Sequence, residues 1–188
     1  MKSKTLHSFL LALLILFGFN SMAQEKHGST LNLGVGIGGN YGYYKLAGKS
    51  FPVLHLDYEF DVAKNFTLAP FVNFYSYTNS YYWGNKNNPD RYYNYRESAV
   101  QLGGKGTYYF DDLLDAGSKW DFYLAGSLGF TIVKSTWDEG YFGDRNVYSR
   151  SSPLYLDLHI GSEYHFNNRI GMYLDLSTGV NTIGIAIH

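Results

Sequence analysis

Cysteine is absent from this 188-residue chain. No disulfide staples it, and its leader lacks the thiol that a lipid anchor needs. Surplus charge is absent too: the formal net charge is -1 at pH 7. That speaks against a dedicated nucleic-acid binder. Leucine and alanine are too sparse for a helical bundle. Past residue 23 no apolar run could cross a membrane as a helix, which takes roughly 20 apolar residues. A barrel escapes that test, because its strands are only half apolar.

The N-terminus reads as an export signal. Lys2 and Lys4 form a basic start, Phe9–Phe19 an apolar run, and Ser21-Met-Ala23 a small-residue cleavage site. Residues 1–23 are therefore expected to be a signal peptide and residues 24–188 a single domain. That domain is rich in aromatics, with 19 Tyr and 13 Phe in the chain.

The clearest pattern is Pro153–Leu176. From Leu154 to Phe166 the even positions are apolar or aromatic except Ser162, while the odd ones are Tyr155, Asp157, His159, Gly161, Glu163 and His165. A period of two means a strand with one greasy and one charged face. Asn167-Asn168-Arg169 is a tight turn, and Ile170–Leu176 resumes the alternation, giving a long hairpin. Two upstream segments share its ending: Tyr58-Glu-Phe60 and Tyr108-Tyr-Phe110 match Tyr164-His-Phe166. In each, Tyr and Phe fall on the apolar face just before a turn. Aromatic rings at one height suit a membrane–water interface.

Other strands follow in order. Leu31–Ile37 alternates with Asn32, Gly34 and Gly36 on the polar side. Gly34-x-Gly36-x-x-Gly39 imitates a dinucleotide fingerprint, but it lies inside the strand and no helix follows. Glycines facing a narrow interior leave room for large side chains opposite. Phe51–Phe60, Phe66–Tyr77, Ser98–Phe110, Trp120–Val133 and Thr182–His188 complete about eight strands. Pro70 predicts a bulge in its strand, and Asp112–Ala116 a wisp of helix. Short turns near Asp61, Asp111 and Asn167 interleave with longer loops at Tyr41–Ser50, Thr78–Arg96 and Lys134–Ser152, and a short fourth loop at Ser177–Asn181 leads to the last strand.

Long loops at one end and short turns at the other resemble the small outer-membrane β-barrels of Gram-negative bacteria, the OmpA/OmpX-like family. The resemblance covers the whole mature chain and rests on the signal, the alternation, the aromatic pairs and the loop asymmetry. It implies an all-β, eight-stranded, antiparallel up-and-down transmembrane barrel in the cell outer membrane. The implied partners are outer-membrane lipid, lipopolysaccharide and the insertion machinery, with no cofactor and no nucleic acid. A monomer is expected. Members usually end on an aromatic residue. Here Thr182-x-Gly184-x-x-Ile187 begins that pattern and His188 follows without the aromatic, which implies an atypical insertion signal or weaker assembly.

The expected lumen carries His55, Asp57, Glu59, Lys105, Asp157, His159, Glu163, His165 and Asp175. A polar plug is the favoured reading, since eight strands enclose little more than their own side chains. A narrow cation-preferring pore is the alternative. His55-x-Asp57-x-Glu59 and Asp157-x-His159 place metal-ligand types on one face, yet no spacing is diagnostic, so no metal site is expected. No catalytic site is expected either: His159 and Ser162 face opposite sides of their strand. Asp138, Glu139 and Asp144 read as a solvated acidic loop. The periplasmic rim is expected from Tyr58, Phe60, Tyr108, Phe110, Tyr164 and Phe166. Tyr81, Tyr82, Trp83, Tyr92, Tyr93, Trp137, Tyr141 and Phe142 are expected in extracellular loops. There they pack into the upper girdle or meet a glycan or protein partner. The overall expectation is a non-enzymatic barrel with a structural or surface-interaction role. The rival class is a soluble lipocalin-like barrel with its apolar face inward around a ligand.

Overall fold

In the computed structural model the described residues are 28–38, 50–114, 117, 119–145 and 153–188. The expected signal peptide and most of the first loop lie outside them. Eight strands form one closed antiparallel barrel in sequence order: β1 (Thr30–Gly38), β2 (Ser50–Ala63), β3 (Phe66–Asn85), β4 (Asn88–Tyr109), β5 (Trp120–Trp137), β6 (Leu154–Asn167), β7 (Ile170–Ser177) and β8 (Val180–Ile187). One helical turn, α1 (Asp111–Leu114), sits between β4 and β5. The barrel closes where β1 pairs with β8, from Leu31↔Ile187 to Gly38↔Val180. Closure leaves no strand edge unpaired along that seam.

Period-two alternation is the local cause of each strand. In β5, Tyr123, Ala125, Ser127 and Thr131 are buried, while Leu124, Leu128, Phe130 and Ile132 are exposed. Short turns join β2 to β3 and β6 to β7, while the connection that carries α1 joins β4 to β5. At the first, Asn65 adopts φ 60°, a left-handed conformation that asparagine tolerates better than most residues.

Two local expectations need correction. The segment Thr78–Arg96 is a continuation of β3 and β4 rather than a loop. Its register runs unbroken from Thr78↔Arg96 to Trp83↔Arg91, and a tight turn at Lys86 and Asn87 closes it. The density of Asn, Lys and Arg masks an aromatic alternation, Tyr81 and Trp83 on one strand and Tyr93 and Tyr95 on the other, with Tyr81 opposite Tyr93, that favours strand. Pro70 causes no bulge. The pairs Asp57↔Phe71 and Phe60↔Leu68 keep one register on either side of it, and the irregularity falls at Asp61 and Ala63 instead.

Inside, aromatics lie over glycines. A Cβ added to Gly34 would sit 2.1 Å from the Tyr173 hydroxyl, and one on Gly161 would sit 2.2 Å from the Tyr123 ring. Glycine at these positions lets the tyrosine rings lie flat across the lumen wall.

Candidate functional site

The lumen is organised around Lys105 on β4. Its Nζ donates to Asp175 Oδ2 at 2.8 Å and lies 3.9 Å from Asp57 Oδ2. All three side chains are buried. Tyr123 donates its hydroxyl to the same Asp175 oxygen at 3.1 Å. Asp57 accepts from Asn32 Nδ2 at 2.8 Å and lies 2.9 Å from His55 Nε2. His55 Nδ1 reaches Asn73 Oδ1 at 2.6 Å, and Asn73 donates to Gln101. Buried charge is tolerable only when paired in this way.

One branch of the network has the connectivity of a catalytic triad. Ser127 Oγ lies 2.9 Å from His159 Nε2, and His159 Nδ1 lies 2.7 Å from Asp175 Oδ1. A serine nucleophile, its base and an orienting carboxylate are linked in that order. Space argues against chemistry there. The cavity lined by Ser127, His159, Asp175, His55 and Asn73 measures about 10 Å³, room for one water. Ser127 itself is only 5% exposed.

Toward the loop end, Asp157 collects five donors. It accepts from Tyr155 Oη (2.6 Å), Ser177 Oγ (2.8 Å), Thr178 Oγ1 (2.6 Å), and the backbone N–H groups of Gly179 (2.7 Å) and Val180 (3.2 Å). One carboxylate thus holds the β7–β8 turn against β6. Toward the short-turn end, Glu59 accepts from Thr107 Oγ1 at 3.1 Å and from the Tyr109 hydroxyl. At the mouth itself, His188 Nε2 meets Glu163 Oε1 at 2.7 Å, and His165 Nε2 meets Asp121 Oδ2 at 2.8 Å. The hydrogen bond to Glu163 raises the pKa of the terminal His188 imidazole above its ordinary value.

The outer ends of β3, β4 and β5 carry an aromatic cluster. Trp137 stacks on Tyr141 with centroids 4.1 Å apart and on Tyr95 at 4.8 Å. Trp83 and Tyr93 meet Tyr141 edge-on at 5.1 and 5.4 Å, and Tyr81 meets Trp137 at 6.0 Å. Tyr93 and Tyr141 are buried at 2% and 1% exposure. On the outside, Tyr82 and Tyr92 pair at 5.1 Å and stay 56% and 71% exposed, and Phe142 is 74% exposed.

The wall supplies the deciding observation. Charges and amides face inward, and a band dominated by aliphatic and aromatic side chains faces outward. Leu128, Ile132, Leu156 and Leu158 are between 57% and 70% exposed. No water-soluble barrel leaves such a band in contact with water, whereas lipid requires it. The fold is a transmembrane β-barrel. This polarity excludes the soluble lipocalin-like alternative, whose apolar face would line the lumen.

No family model and no curated protein matches the chain. Among solved structures the transmembrane barrel is similar to Neisserial surface protein A (NspA), with 13% identity, a TM-score of 0.48, and 85% of this chain and 94% of that chain covered. It is also similar to a de novo designed transmembrane β-barrel, with 11% identity and a TM-score of 0.47 over 88% and 98% of the two chains. A third similar structure is Ail, the attachment invasion locus protein of Yersinia pestis, with 7% identity and a TM-score of 0.44 over 85% and 95%.

The nine polar residues singled out from sequence all face the interior of the transmembrane barrel, but in separate groups. His55, Asp57, Lys105, His159 and Asp175 share the central network, Asp157 sits above it, and Glu59, Glu163 and His165 lie toward the short-turn mouth. Of the rim residues, Tyr58, Phe60, Tyr108 and Phe166 are exposed, while Phe110 and Tyr164 are half-buried. Trp120 and Phe122 join the same belt and were missed: Trp120 contacts Tyr164 at 4.9 Å and stacks on Phe122 at 5.9 Å. Their signal was the same alternation, one strand over. Asn32, Asn73, Gln101, Tyr123 and Ser127 fall on the polar face by the same alternation, but their place in the network, and that of Asp121, depends on cross-strand register, which carries no local mark.

Proposed function

We propose that the protein is an integral outer-membrane barrel, not an enzyme, whose lumen is closed and whose β3–β4 hairpin forms a recognition surface outside the cell. The observation that carries this reading is the hairpin. Strands of 20 and 22 residues continue past β2, which has 14. From Asn79 to Asn85 the hairpin extends about 20 Å beyond the last shared ladder. The Trp137–Tyr141 cluster braces it from one side. The braced hairpin presents Tyr82 and Tyr92, and the segment after β5 presents Phe142, at little entropic cost, as aromatic anchors for a glycan or protein require.

The absence of cysteine makes topology directly testable. Lys86→Cys at the hairpin tip should react with a membrane-impermeant maleimide on intact cells. Arg169→Cys in the β6–β7 turn should react only after lysis. In planar bilayers the purified barrel should give no stable conductance steps. Labelling of Arg169→Cys on intact cells would reverse the orientation, and ohmic cation-selective steps would reopen the pore reading.

A further inference from the structure

The short-turn mouth gathers a ligand set that spacing along the chain does not reveal. Glu163 and His165 lie two residues apart on β6, so both point inward. β7 lies between β6 and β8, and its pairing with both brings His188 beside them. The three side chains offer ligand atoms that all lie within 4.8 Å of one another.

We propose that Glu163, His165 and His188 form a binding site for a divalent transition-metal ion such as zinc. Glu163 Oε1 lies 2.7 Å from His188 Nε2 and 3.8 Å from His165 Nδ1. Ligand atoms at tetrahedral zinc, each about 2.0–2.1 Å from the ion, stand about 3.3 Å apart. An ion seats between these atoms once the Glu163–His188 contact opens by roughly half an ångström and the wider pairs, which lie within 4.8 Å, draw in toward that spacing.

The surroundings are those of a prepared site. Each imidazole's other nitrogen is already held: His165 Nε2 by Asp121 Oδ2 at 2.8 Å, and His188 Nδ1 by Thr30 Oγ1 at 2.9 Å. Such partners fix ring orientation and tautomer at metal centres. Gly171, opposite His165, clears the space, since a Cβ there would lie 2.1 Å from Glu163 Oε1. Glu163 and Asp121 together balance the charge of a divalent ion, and the two imidazoles select a transition metal over calcium or magnesium. The His165 and His188 side chains keep 20% and 17% of their surface exposed, which gives the ion an entry path and leaves water the remaining positions. A bound ion ties β6 to β8 beside the β1–β8 seam, because Thr30 belongs to β1.

The test uses the untagged, chelator-treated barrel in detergent, with zinc chloride in calorimetry and cobalt chloride in visible absorption. One zinc per barrel should bind, cobalt should develop d–d bands, and the thermal unfolding midpoint should rise with zinc. His165→Gln and His188→Gln should each weaken binding by about 100-fold, and Asp121→Asn by about 10-fold. His55→Gln should leave binding unchanged. Boiled and unboiled gel mobility identifies variants that fold. No saturable uptake by folded wild type overturns the proposal. Uptake that survives His165→Gln and His188→Gln, or that His55→Gln abolishes, also overturns it.

Discussion

Lys105→Met should lower the unfolding free energy of the barrel by about 3–5 kcal/mol. The substitution preserves length and apolar volume and removes only the ammonium. Asp175, which accepts from Lys105 at 2.8 Å, and Asp57, at 3.9 Å, then remain in the lumen without their shared cation. Both carboxylates are nearly inaccessible, at 2% and 1% exposure. A buried charge stripped of its partner costs far more than the pair itself contributes. The double variant Lys105→Met/Asp175→Asn should recover most of the loss. Its neutral amide still accepts from Tyr123, while one source of uncompensated charge is gone. Urea unfolding in detergent or lipid vesicles measures both. A single-variant loss under about 1 kcal/mol would show that water, rather than Lys105, neutralises the lumen.

Asp157→Ala should cost about 3 kcal/mol and act locally. Five donors converge on this carboxylate, two of them backbone N–H groups of the β7–β8 turn. Hydrogen bonds to a charged acceptor contribute about 1.5–3 kcal/mol each when taken singly, and their sum is reduced because hydroxyls near the barrel end regain water. Asp157→Asn keeps the shape and loses the charge, so roughly 1–2 kcal/mol is expected. Amide exchange locates the effect: Gly179 and Val180 should exchange faster in Asp157→Ala, while amides in the middle of β4 and β5 hold. Unchanged protection at Gly179 and Val180 would mean that the turn stands without the carboxylate.

The fold was legible because lipid outside and a narrow lumen inside impose the same period on every strand. Leu154 to Phe166 shows it in one stretch, and the Tyr-x-Phe endings mark one end of the barrel. The hairpin from Thr78 to Arg96 reads as loop in the sequence because polar residues at its tip outweigh the alternation of Tyr81, Trp83, Tyr93 and Tyr95. The lumen's residue types were legible, but their partners were not. Which residue faces which across strands depends on register and shear, and neither is written locally. Ser127 meets His159 only because β5 pairs with β6 through Ser127↔Asp157 and Ala125↔His159. His188 meets Glu163 across an intervening strand. Reading the chain one strand at a time sets His159 against Ser162, on the wrong face, and leaves His188 as a bare end.

The barrel turns its apolar face to lipid and its charged face to the lumen. Refolding from urea, with and without detergent, tests this arrangement most directly, read by far-ultraviolet circular dichroism and by gel mobility before and after boiling. A β spectrum and a heat-dependent mobility shift should appear only when detergent is present. A monodisperse β-structured protein in plain buffer would contradict this arrangement.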